Sequence, residues 1–369
     1  MKIALLGDIA LFGRFCLSNN NELYNQLSDL RLYLSRFDLV VGNLETPFVE
    51  SQKPIRGKSA VIKSDSSNVD LLVWLGITHV TLANNHMGDF GKSAYQFTTH
   101  LLDEAGIGWF GVEDKQLRIE SNGEKIALHG YCSYNTNPSP IGSNKDKGLN
   151  SLDPETVLQN IEENRRDGYF NIVAVHSGIE HVHMPSSDDV RFARGLAKKG
   201  SYIYYGHHPH VIQAHERVDN SEIFYSLGNC LFDDVFTLKD KKRPLIKLSE
   251  ANKTGAIATI NLQCGEVISA GLTPIYLGDD NVLVGEQVVN DGIAFINTLV
   301  DTACTEKYDS DRSAAIGSYI DNRKRLRNLK WYASRLNWNS VLMIFNARRN
   351  AKLYSSEFLE KLNIFESDS

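Results

Sequence analysis

The amino-acid sequence predicts an α/β fold, with helices layered on a central, largely parallel or mixed sheet and a mainly helical segment after it. Over about the first 275 residues, short apolar runs alternate with longer amphipathic ones, the pattern of strands separated by helices. Several short runs are rich in β-branched and aromatic residues and apolar on both faces, as strands buried between helical layers are. Near residue 280 the character changes, and a helical period dense in Arg and Lys takes over.

Taken in order, strands are expected at 3–6, 39–41, 79–82, 126–128, 172–175, 202–205, 223–225 and 256–262. Helices are expected at 22–36, 69–75, 92–104, 154–167 and 187–199. In Leu152-Asp153-Pro154-Glu155, Asp153 can cap the fourth helix and Pro154 takes its first turn, where a missing N–H costs nothing. The fifth is charged along one side, which turns that side to solvent. Two polar stretches, 51–68 and 134–150, read as loops, and loops of this length inside a domain often carry function. Further helices are expected over 323–335 and 341–361, so the chain divides into a domain over 1–284 and a helical extension over 285–369. The Arg- and Lys-rich stretches at 323–330 and 348–349 read first as a solvated helix face, with a membrane surface or polyanion as the alternative.

Composition bounds the function. Hydrophobic content of 42% and charged content of 23% are ordinary for a globular protein, and a net charge of -6 argues against a general nucleic-acid binder. The apolar run after Lys2 is shorter than a signal-peptide core of about 7–15 residues. No run approaches the roughly 20 apolar residues that span a bilayer. Cys16, Cys132, Cys230, Cys264 and Cys304 are scattered, without a CxxC pair. The expectation is a cytoplasmic protein with reduced thiols, no transmembrane segment and no nucleic-acid partner.

Polar residues collect where the apolar runs stop. The expected strands end in Gly7-Asp8, in Gly42-Asn43-Leu44-Glu45, in Asn84-Asn85-His86 followed by Asp89, in His176, in Gly206-His207-His208-Pro209-His210, and in Gly228-Asn229. Ligands of open α/β sheets bind outside the carboxyl ends of the strands, so these residues would converge on one edge. A mixed carboxylate, amide and imidazole set suits Mn, Fe or Zn better than Ca or Mg. Two such cations about 3.5–4 Å apart can clamp the attacking and leaving oxygens of an in-line phosphoryl displacement. Glu45 would then lie between the metals, with Asp8 on one and Asn85 on the other. His86, oriented by Asp89, would be the general acid.

These blocks, from Gly7-Asp8 with Gly13-Arg14 to Gly228-Asn229-Cys230-Leu231-Phe232-Asp233, resemble the CapA family of bacterial capsule and poly-γ-glutamate biosynthesis proteins. The resemblance implies a calcineurin-like metallophosphoesterase fold: a four-layer αββα sandwich with a dinuclear metal site, here followed by the mainly helical C-terminal extension. It implies Asp8, Glu45, Asn85, His176, His208 and His210 as ligands, Asn43 as a ligand or close neighbour, and Arg14 facing an anionic substrate. Ala10 stands where metallophosphoesterases usually place a histidine, and His176-Ser177-Gly178-Ile179-Glu180-His181 lacks the family's tryptophan and tyrosine.

Blander readings stand beside these. Asn43 could be a turn former, and Asp233 and Asp234 could contact the site but are expected first to cap the segment after them. His181 and His183 could line a pocket or sit in a loop. The alternation of an extended chain favours His208 with His210 over His207. The function expected is a hydrolase using two divalent transition metals, most simply on phosphoesters, in bacterial surface-polymer synthesis. Its substrate would be an anionic polymer or a phosphorylated small molecule, with a polymer synthase as the partner. A non-catalytic subunit binding polymer or synthase, and an amide hydrolase acting on a polyglutamate-like chain, are the alternatives.

Overall fold

The computed structural model describes residues 1–58, 60–139, 148–237, 242–288, 292–325 and 337–365. In the first sheet, β1 (Lys2–Ile9), β2 (Leu39–Leu44), β3 (His79–Thr81) and β4 (Gly108–Phe110) run parallel. The other edge of β1 is taken antiparallel by β14 (Thr254–Gln263), which continues into β15 (Glu266–Leu277) and β16 (Val282–Val284). Past that pairing, β11 (Asn229–Leu231) joins the end of β1. The second sheet has the order β5 (Leu117–Ser121), β6 (Glu124–Cys132), β7 (Phe170–His176), β8 (Ile203–His207), β10 (Ser221–Phe224), β9 (His215–Val218). A short pair, β12 (Val235–Phe236) and β13 (Pro244–Ile246), stands apart.

Alternation of side chains along the strands sorts the core into layers. Ile3 and Leu5 of β1 meet Ile172 and Ala174 of β7 in the core between the sheets. Ala4 and Leu6 face the other way, against Leu30 of α2 (Ser28–Leu34), Leu71 of α3 (Val69–Leu75) and Leu102 of α4 (Gly91–Glu104). On the far side, Val173 and Val175 pack with Ile161 of α5 (Pro154–Arg166) and Phe192 of α6 (Ser187–Lys198). This is the four-layer αββα sandwich that the resemblance implied. Helix starts follow the expected chemistry: Thr156 N–H donates to Asp153 Oδ1 at 3.0 Å, and Asp189 N–H to Ser186 Oγ at 3.0 Å.

The C-terminal region is helical, with α8 (Gly292–Thr298), α9 (Glu306–Arg325) and α10 (Trp338–Tyr354). The helix expected over 323–335 falls mostly outside the described residues. Val300, Tyr308, Phe358 and Leu362 enter the same core as α5 and α6, and the Phe358 ring stands edge-on to Phe192 at 5.5 Å. Phe358→Ala should therefore destabilise the whole chain by about 3–5 kcal/mol in chemical denaturation, as deletion of a core aromatic does. A loss below about 1 kcal/mol would separate this segment from the core.

Candidate metal centre

Strand register delivers the first residues. Between Leu5 and Asp8 the pairing of β1 with β2 shifts, and Asp8 ends opposite both Asn43 of β2 and Asn229 of β11. Gly7 makes this possible: a Cβ there would lie 2.1 Å from Gly228 O, so no other residue lets the two backbones approach so closely. The Asp8 N–H donates to Gly228 O at 3.0 Å, and the Glu45 N–H to Ile9 O at 2.8 Å, setting Glu45 just past β2. On the second sheet His176 ends β7 opposite His207 of β8. Behind β3, Asn84 organises the loop. Its amide donates to Leu44 O at 2.8 Å and Asn43 Oδ1 at 3.1 Å, while its carbonyl takes the N–H groups of His86 and Met87.

The structure brings Asp8, Asn43, Glu45, Asn85, His176, His208 and His210 into one buried cluster. Asp8 Oδ2 lies 3.1 Å from His210 Nδ1, and Asn43 Nδ2 donates to Asp8 Oδ1 at 2.8 Å. Glu45 Oε1 is 3.7 Å from His210 Nε2 and 3.9 Å from His176 Nε2, so it stands between the two imidazoles. His176 Nε2 lies 3.1 Å from Asn85 Oδ1, and the His208 ring is 4.9 Å from that of His176. Ligand atoms of Asp8, Glu45 and His210 all fall within 4.8 Å of one another. Neither carboxylate oxygen of Glu45, nor Nδ1 of His208, has a hydrogen-bond partner among the described residues. A buried carboxylate without donors is costly, and a cation is the chemistry that removes the cost.

Electrostatics divide the cluster the same way. Burial would raise the Asp8 carboxyl, but the hydrogen bond and charge of His210 hold it below its ordinary value. Glu45 is pushed well above the carboxylate range by burial and by the Asp8 charge. Burial opposes a charge on His210, yet Glu45 and Asp8 outweigh it and lift the imidazole to about 10. Burial drives His176 well down, and His208 to about 3, so both are neutral, the form that ligates metal.

Beside the cluster, His86 Nδ1 lies 2.6 Å from Asp89 Oδ2, which leaves Nε2 free of that partner. Lys58, from the 51–68 loop, donates to Asp89 Oδ1 and to Asn85 O, each at 2.6 Å. Burial and the Lys58 charge lower His86 despite Asp89, while Lys58 and His86 hold Asp89 low against its burial. Lys58 escaped sequence reasoning because it is one of four cations in the polar 51–68 loop, with Lys53, Arg56 and Lys63, and nothing local marks it out from a solvated charge. A pocket lined by His86, Glu180, His181 and His210 together with apolar residues including Ile62, Phe232, Ile246 and Leu248 opens beside the cluster, with the Phe232 ring 4.6 Å from that of His210.

Several expectations need correction. Arg14 does not face this pocket's charged side as a free cation. Its Nη1 donates to Gly278 O at 2.6 Å and its Nη2 to Leu277 O at 3.2 Å, tying the loop after β1 to the end of β15. The argument from extended alternation also fails, since His208 (φ 96°) and His210 (φ 55°) both lie in the left-handed region. His208 and His210 share the cluster through that turn, whereas His207 Nε2 turns to Leu6 O at 3.3 Å. His181 lines the pocket, while His183 Nδ1 pairs with Ile212 O. Asp233 accepts from the Arg14 N–H and Asp234 from the Leu248 N–H, both structural roles.

Fold and cluster together define an αββα sandwich protein with a buried acid–imidazole site at its strand ends. The chain belongs to the bacterial capsule synthesis protein family PGA_cap, whose profile matches residues 2–234. It is 29% identical over 218 residues to the capsule biosynthesis protein CapA of Bacillus anthracis, covering 56% of this chain and 53% of that one. It is 30% identical over 210 residues to the PGA biosynthesis protein CapA of Bacillus subtilis (strain 168), covering 54% of each. The chain thus spans about half the length of these curated relatives. Among solved structures, a hypothetical protein from Thermus thermophilus superposes with a TM-score of 0.46 at 16% identity, covering 77% of this chain and 100% of that one.

Chelator-treated protein should show the imidazole charge directly. His210 is raised from 6.5 to about 10, so its proton stabilises the fold fully below about pH 6.5, and that contribution disappears as pH climbs through 10. Glu45, raised likewise, acts in the same direction. The melting temperature of the metal-free protein should fall across this window, with a shallower slope in His210→Gln. A melting temperature that rises with pH there, or equal slopes in both proteins, would refute the pairing.

Proposed function

We propose that the chain is a metal-dependent hydrolase, acting on phosphoesters first, in the synthesis of a bacterial surface polymer of the poly-γ-glutamate type. The observation that carries this reading is Glu45: two buried carboxylate oxygens without donors among the described residues, set between Asp8 with His210 and His176 with Asn85. Asp8, Glu45 and His210, with Asn43 beside them, would hold one divalent transition metal; Glu45, Asn85, His176 and His208 would hold a second. Bound Mn, Fe or Zn would supply Lewis-acid polarisation of a phosphoryl oxygen and neutralise its charge.

The chain's own residues would do the rest. His86 keeps Nδ1 against Asp89, so Nε2 is the atom that would carry a proton to the leaving oxygen. Lys58 holds Asp89 in place and neutralises it. The apolar part of the pocket lining would exclude water and take the non-anionic part of the substrate. The same centre would polarise an amide carbonyl, and the capsule and PGA names of the relatives put a γ-glutamyl amide on the substrate screen.

Metal analysis of the purified protein, with assays before and after addition of Mn or Fe, tests the reading. No bound transition metal and no gain of activity would sink it in favour of a non-catalytic polymer- or synthase-binding role. His86→Ala should lower turnover by about 10²–10⁴ with metal content unchanged, whereas Asp8→Ala should lose metal. Lys58→Met should lower turnover less than His86→Ala, again with metal retained; metal loss in either would recast that residue as part of the ligand shell.

A further inference from the structure

We propose that the outward face of α10 docks the protein on an anionic lipid surface. The helix turns three asparagines inward while leaving large apolar side chains outward. Asn339 Oδ1 accepts the Gly57 N–H at 2.5 Å, Asn346 and Leu342 lie against Gly57, and Asn350 is buried, with Tyr354 packed on the core. Its apolar side faces solvent: Trp338 is 80% exposed, Phe345 65%, Ile344 57% and Val341 52%. A surface helix normally shows the reverse, and a cluster of large exposed apolar side chains marks a contact surface.

Charge identifies what makes the contact. Residues 323–352 carry nine Lys or Arg and no Asp or Glu, in a chain whose net charge is -6. Three of these cations, Arg348, Arg349 and Lys352, are exposed on α10 itself, within about 20 Å of Trp338 at the helical rise. A soluble polyanion would use the cations but leave Trp338 and Phe345 in water. An apolar groove on a protein partner would cover the rings but not account for so one-sided a charge. A lipid surface uses both, with the rings and Ile344 at the acyl boundary and the cations among headgroup phosphates. Among the described residues no helix is long and apolar enough to cross a membrane, so α10 lies on the surface instead of spanning it.

Co-sedimentation of the full chain with phosphatidylcholine vesicles, with and without phosphatidylglycerol, tests this at low and high salt. The protein should pellet with the phosphatidylglycerol vesicles only, and high salt should weaken the binding. Trp338→Ser/Phe345→Ser and Arg348→Glu/Arg349→Glu should each lower partition about tenfold or more, with melting temperatures unchanged because all four side chains are exposed. Absence of binding, or equal binding to both vesicle types, overturns the proposal. So does a loss confined to the arginine variant, with binding to soluble polyglutamate retained by Trp338→Ser/Phe345→Ser, which would assign the face to polyanions. A dimer in solution that the aromatic variant dissociates would assign it to a second copy of the chain.

Discussion

Two carboxylates closed off from water at the ends of β1 and β2 set the conditions for everything around them. Burying an ionised carboxylate is unfavourable unless donors or opposite charge surround it. Asp8 receives the Asn43 amide, the His208 N–H and the His210 imidazole, and sits below the ordinary carboxylate range as a result. Glu45 receives no hydrogen bond among the described residues and is driven up. The fold thus encloses one satisfied acid and one unsatisfied acid side by side. Positive charge has to settle near Glu45, either as a proton shared with His210 or as a cation that displaces it.

The four-layer arrangement explains why the charged cluster gathers at one end of these strands. β1, β2, β7 and β8 are buried on both faces, so charge is tolerated only where the strands stop. One sheet supplies Asp8, Asn43 and Asn229, and the other supplies His176 and the turn carrying His208 and His210. That turn holds two non-glycine residues at positive φ, a cost of order 1–3 kcal/mol each that persists only where surrounding contacts over-determine the backbone. The strained turn thus stands at a strand end, beside the unsatisfied acid.

Much of this was legible in the sequence. The eight expected strands correspond to β1, β2, β3, β6, β7, β8, β10 and β14, and the strand-end residues meet as the open-sheet rule implies. What escaped notice did so for physical reasons. The β14–β15 hairpin turns on Cys264-Gly265, both at positive φ, and Cys is a rare choice for a position usually filled by Asn or Asp. The resemblance implies Arg14 as a substrate contact, and nothing local in the sequence shows that its guanidinium is taken up by carbonyls more than 260 residues away. Lys58 becomes meaningful only once Asp89 is seen to need a second partner.

The same long-range dependence bears on which part of the chain builds the site. The profile match ends at residue 234, yet β14 covers the edge of β1 over Lys2–Leu6, the stretch that leads into Asp8 and that would otherwise be left bare. Further along, Asn339 of α10 receives the Gly57 N–H and its amide reaches Lys58 O, so the backbone that delivers Lys58 to Asp89 is held by a helix more than 280 residues later. The Tyr319 ring of α9 lies tilted against that of His181, 5.0 Å between centroids, and His181 lines the same pocket. The final third of the chain therefore supports the site's geometry from two directions, closing the sheet under Asp8 and fixing the loop over His86.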